Sequence, residues 1–66
     1  MQILLNGLSE EFEPGITVRT LLDRAGFTER RVAVEVNREI VPKSEHAVRV
    51  LRDGDLVEIV HALGGG

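Results

Sequence analysis

The chain has 66 residues, eight Lys or Arg against eleven Asp or Glu, a net charge of −3, and no Cys, Trp or Tyr. This length gives one domain near the lower limit for unaided folding, with little room for a deep catalytic cleft. The missing Cys excludes a disulfide framework, a thiolate zinc site and a cysteine nucleophile, while the acidic balance and only two Phe argue against nucleic-acid binding.

Residues 1–6 form an apolar run that ends in Asn6-Gly7. Both of these residues accept positive φ, so the pair predicts a hairpin. Leu8 to Glu13 is the expected return strand, with Leu8 and Phe12 as its apolar residues, and Pro14-Gly15 closes it. A helix is expected next, capped by Thr17. Ile16 and Leu21 have the spacing of a hydrophobic staple. Val18, Leu21, Leu22 and Ala25 recur at i, i+3, i+4 and i+7, which gives one apolar face. Gly26 suits the left-handed residue that ends a helix, and Phe27 can fold back over the last turn. So short a helix is unstable alone in water and must lie on a sheet.

Val32, Val34 and Val36 alternate with Ala33, Glu35 and Asn37, the pattern of a half-buried strand. Asn37-Arg38 is a tight turn, Glu39-Ile40-Val41 a short return, and Pro42 marks that strand as an edge. Lys43 to Ala47 reads as loop, and Val48 to Leu51 as a short, partly apolar segment. Asp53-Gly54-Asp55 is a turn whose carboxylates accept local backbone N–H bonds. Leu56 to His61 is nearly continuous in apolar residues, which places it centrally. The order ββ-α-ββ-β predicts an α+β fold: a four- to five-stranded mixed sheet with one main helix on one face. Parallel pairing of the first and last strands would make both central and give the β-grasp. Residues 1–61 are the expected domain and 62–66 a flexible tail.

That tail, Ala62-Leu63-Gly64-Gly65-Gly66, asks for a chemical explanation. Five extended residues reach about 16 Å, and glycine backbone can thread a narrow channel. Terminal glycines also occur as frayed tails or linker scars, and composition alone favours that reading. Position argues against it, because the run follows the last strand without a spacer. A carboxylate is a poor electrophile until it carries a leaving group such as AMP from ATP. The adenylate then accepts a sulfur nucleophile and yields a thiocarboxylate. A chain without Cys cannot supply that sulfur, so a partner must.

Several pieces, in this order and length, resemble the ThiS family, the sulfur carriers of thiamine biosynthesis. They are Asn6-Gly7 after the first strand, Thr17-Val18 with Leu21-Leu22, Val34 to Val41, Asp53 to Val60, and the terminal glycines. The resemblance covers essentially the whole chain. It implies a ubiquitin-like β-grasp with no bound cofactor, and a protein that is a co-substrate and not an enzyme. It implies that an E1-like adenylyltransferase uses ATP to adenylate Gly66. A cysteine desulfurase is then the indirect sulfur source, and the thiocarboxylate delivers sulfur to thiazole synthase. The functional residues implied are Gly66, which bears the sulfur, and Gly65. The small subunit of molybdopterin synthase and a ubiquitin-like protein modifier are alternative readings.

If the helix covers Ile3, Leu5, Val57 and Ile59, then Leu4, Leu56 and Val60 lie on the open face. Exposed apolar residues clustered beside a reactive tail predict a docking patch, which Ala62, Leu63 and Gly64 extend. Isolated surface apolar residues are the competing reading. His46, Asp53, Asp55 and His61 match no metal-ligand spacing, and no metal is expected. No basic leader or long apolar run is present, so a cytoplasmic protein without membrane contact is expected.

Overall fold

The computed structural model describes residues 1–28 and 31–61. It contains β1 (Gln2–Leu5), β2 (Leu8–Glu11), α1 (Val18–Arg24), β3 (Val32–Val36), β4 (Glu39–Val41), a 3₁₀ turn (Lys43–Glu45) and β5 (Leu56–His61). The sheet order is β2-β1-β5-β3-β4. β1 and β5 are parallel, with Leu4 beside Leu56, and every other neighbouring pair is antiparallel. This is the expected β-grasp, with β5 in the centre.

Both predicted tight turns form. Asn6 and Gly7 have φ of 47° and 88°, and Leu5 pairs with Leu8 across them. Asn37 and Arg38 have φ of 53° and 69°, and Val36 pairs with Glu39. Positive φ at both central residues supplies the twist that a two-residue hairpin needs.

Helix α1 is fixed at both ends by the residues its sequence predicts. The Thr17 hydroxyl accepts from the Thr20 backbone N–H at 3.2 Å, and Ile16 and Leu21 are both buried. At the other end Gly26 has φ of 88°. The Phe27 N–H reaches the Leu22 carbonyl at 2.8 Å and the Gly26 N–H the Asp23 carbonyl at 3.3 Å. These two bonds are the Schellman pattern. Val18, Leu21 and Leu22 meet Ile3, Val34, Val36, Val57 and Ile59 of the sheet, and Val41 and Leu51 complete the core. Each such side chain contributes about 1.5–3 kcal/mol when taken from water, which is what holds a two-turn helix in place.

The structure differs from expectation in three places. Lys43–Glu45 is a 3₁₀ turn where a loop was predicted. Its Pro42 carbonyl accepts from the Glu45 N–H at 2.8 Å. Val48 to Leu51 makes only one bridge, Thr17 to Val50, closed by the Val18 N–H to the Arg49 carbonyl and the Leu51 N–H to the Ile16 carbonyl. The Arg49 and His46 carbonyls accept from the Val18 and Arg19 N–H groups at 3.0 and 2.9 Å, which are otherwise orphaned donors of the first turn. The return strand β2 ends at Glu11, short of the expected Glu13, and its Leu8 is exposed.

Candidate functional site

Strand β5 joins the core to the last described residue, and it is held on both flanks. Its Val57 and Ile59 are buried against the helix. Leu56, Glu58 and Val60 take the other face by alternation. The side-chain oxygen of Asn6 accepts from the Ile59 N–H at 2.7 Å, and its own N–H donates to the Val57 carbonyl at 2.9 Å. On the opposite flank the Asn37 oxygen accepts from the Leu56 N–H at 3.0 Å. The Asn37 amide nitrogen donates to Asp55 Oδ1 at 3.0 Å. The two turn asparagines therefore extend the ladders beyond the ends of β1 and β3 and clip β5. Their sequence signal was a turn only, and the clip is a function that the pattern does not reveal.

Asp53 and Asp55 are structural, as expected, although only one of them acts locally. Asp55 Oδ2 accepts from the Arg52 N–H at 2.8 Å. Asp53 Oδ1 accepts from the Gln2 N–H at 2.7 Å, 51 residues away. His46 is buried, with Nε2 3.1 Å from the Val41 carbonyl. Among the described residues no group of three or more His, Asp or Glu gathers as a metal site. No helix among them is long and apolar enough to cross a membrane.

The open face of the sheet carries the predicted apolar residues. Leu4 is 41 % and Val60 56 % exposed, while Leu56 is half-buried. Ile40, 71 % exposed, joins the same face. It was not predicted there, although the buried Val41 beside it fixes its direction by alternation. Ala33 lies opposite Val60. At the end of the sheet His61 pairs with Val32 as the last rung, and its ring packs on Phe27 with centroids 5.6 Å apart at 51°. Phe27 is also packed against the core, so the helix end braces the end of β5. Ala62, Leu63, Gly64, Gly65 and Gly66, where a flexible tail is expected, lie outside the described residues.

Away from this face, Arg24 grips the Glu13 carboxylate with two N–H groups. That bond holds the Glu13 carboxyl down to about 2 and raises the Arg24 guanidinium above its usual value. The pair ties the loop before α1 to its last turn.

The geometry therefore presents an uncovered, partly apolar sheet face whose central strand leads to the glycine-ended segment. The chain matches the ThiS family model over residues 3–66. It belongs to the ThiS family. It is 32 % identical over 66 residues to the sulfur carrier protein ThiS of Escherichia coli, covering 100 % of each. It is 47 % identical over 66 residues to a thiazole synthase of Paramagnetospirillum magneticum, covering all of this chain and 20 % of that protein. The chain thus spans about a fifth of the length of the two thiazole synthases it matches, the other being from Magnetococcus marinus. A crystal structure of the thiamine biosynthesis protein ThiS from Geobacter metallireducens superposes with a TM-score of 0.87 at 28 % identity, covering 100 % of both chains. These findings agree with the family resemblance read from the sequence and with the β-grasp expected from it.

Proposed function

We propose that this chain is the sulfur carrier for the thiazole moiety of thiamine, with Gly66 as its reactive terminal residue. The observation that carries the reading is the match, along the full length of both chains, to a protein named as the ThiS sulfur carrier. The domain also recurs within polypeptides named thiazole synthase, which supports that enzyme as the sulfur acceptor.

In this reading the chain is a co-substrate of other enzymes. An E1-like adenylyltransferase joins the Gly66 carboxylate to AMP from ATP and releases pyrophosphate. A sulfur nucleophile at the sulfide level, drawn ultimately from cysteine by a desulfurase and reduced by a thiol, attacks the acyl carbon and expels AMP. The resulting thiocarboxylate gives its sulfur to thiazole synthase. The absence of Cys from the chain means that it carries sulfur without supplying it. Gly65 and Gly64 lack Cβ atoms and so let the backbone pass through a narrow channel. Ala62 and Leu63 lead to them from β5. Leu4, Leu56 and Val60 on the open face form the partner-docking surface, since uncovered apolar clusters mark interaction sites.

The test is ATP–pyrophosphate exchange by the adenylyltransferase with the intact chain and with Gly66 deleted. The intact chain should support exchange and the truncated chain should not. Exchange by both would remove Gly66 from its assigned role.

A further inference from the structure

The open face places two acidic residues opposite each other across one strand pair. Glu35 of β3 and Glu58 of β5 are direct cross-strand partners. Like charges placed opposite each other destabilise a strand pair. Both residues are half-buried, and among the described residues neither has a cation within ion-pairing distance. Several other acids of the chain are engaged. Glu11 meets the N-terminal ammonium, Glu13 meets Arg24 and Asp23 meets Arg19, while Asp53 and Asp55 accept backbone N–H groups. The unrelieved pair sits on the two central strands, next to the Ala33–Val60 pair and beside Ile40. Leu4 and Leu56 flank it along the same face.

An acid pair without a cation, set among exposed apolar side chains, suits a surface covered by a protein that brings the missing cation. We propose that an arginine of the covering partner bridges Glu35 and Glu58, and that this pair selects the partner which docks on the open face. A guanidinium fits better than an ammonium. Its planar fork can address two carboxylates, and its weaker hydration suits an apolar surround. The occupant is thiazole synthase, the protein whose polypeptide holds this domain in the relatives at 47 % and 41 % identity. This inference rests on the docking role proposed above for the face, and adds the chemistry of the surface it meets.

The two states of the chain make opposite demands on the acid pair, and the test uses that opposition. Glu35→Gln and Glu58→Gln are made singly in the full chain, together with Glu58→Lys, which can pair internally with Glu35. Thermal midpoint and affinity for purified thiazole synthase are measured for each. Relief of the repulsion should raise the midpoint of each Gln variant by about 2–4 °C. Loss of the bridged carboxylate should weaken binding about tenfold or more. Glu58→Lys should be the most stable of the set and the weakest binder. A residue of merely structural value would move both readings in the same direction. Variants that bind as tightly as the unaltered chain overturn the proposal and leave the docking reading standing. Absence of binding by the unaltered chain overturns both.

Discussion

Replacing Asn6 by glycine isolates the clip on β5 from the turn that Asn6 also makes. The native residue has φ of 47°, which glycine adopts without penalty. What the substitution removes is the acceptor that takes the Ile59 N–H at 2.7 Å. Ile59 is buried, and its N–H lies past the end of β1, so no β1 backbone group replaces the lost partner. A fully buried donor left unsatisfied costs about 1–3 kcal/mol, and this part-buried bond sets the expectation at the lower end, about 1 kcal/mol or slightly more. A domain of this size has a stability of only about 3–10 kcal/mol, so the loss is appreciable. With a urea m-value near 1 kcal/mol/M for so small a domain, the unfolding midpoint should fall by about 1 M. Circular dichroism during urea titration reads this directly. Asn6→Ala should fall further, because a left-handed conformation costs a non-glycine residue about 1–2 kcal/mol more. A Gly variant as stable as the unaltered chain would refute the clip and reduce Asn6 to a turn residue.

Three further outcomes follow from the structure. Gly26→Ala meets no atom within 4 Å of the added Cβ, so its cost is conformational alone, at φ of 88°. About 1 kcal/mol is expected, seen as a drop of about 4–8 °C in thermal midpoint, and an unchanged midpoint would deny the strain. The Glu13 carboxyl is depressed from 4.5 to about 2, so its pair with Arg24 stabilises the fold above the unfolded value. That contribution is lost as the pH falls through the folded value. Glu13→Gln should therefore flatten the dependence of thermal midpoint on pH between about 4.5 and 2. The effect should be small, because the pair is exposed, and parallel curves for the two proteins would count against it. Leu4→Asp combined with Val60→Asp changes two exposed positions, so the fold should persist by circular dichroism while adenylation by the partner falls at least tenfold. An unchanged adenylation rate in a folded variant would show that the adenylyltransferase does not dock on this face.

The parts of the fold set by local chemistry were legible in the sequence. The Asn6-Gly7 and Asn37-Arg38 turns, the Thr17 cap, the Gly26 terminator and the bounds of β5 each depend on residues within a few positions of one another. What was not legible depends on distant partners. The Asn6 bond to Ile59 spans 53 residues and the Asp53 bond to Gln2 spans 51. No pattern in a single sequence announces either. Val48 to Leu51 carries an apolar alternation and still forms no strand: the Arg49 carbonyl accepts from the Val18 N–H of α1, and the Leu51 N–H donates to the Ile16 carbonyl just before the helix. Alternation predicts the face of a side chain, and it does not say which backbone the segment will serve. On the open face, Leu4, Leu56 and Val60 were found from the parity of two strands. Ile40 is harder to place from sequence, because a three-residue strand offers too few alternations to fix its face before Val41 is seen to be buried. The Glu35–Glu58 juxtaposition required the register of β3 against β5, which only the structure provides.

The central claim is that sulfur is carried on the carboxylate of Gly66. Intact mass spectrometry tests it after incubation with the adenylyltransferase, ATP, a cysteine desulfurase supplied with cysteine, and a thiol reductant. A gain of about 16 Da is expected, one sulfur in place of one oxygen. The gain should localise to the C-terminal fragment and be absent when ATP is omitted or Gly66 is deleted. A chain that stays at its original mass under these conditions, or a truncated chain that still gains sulfur, would contradict it.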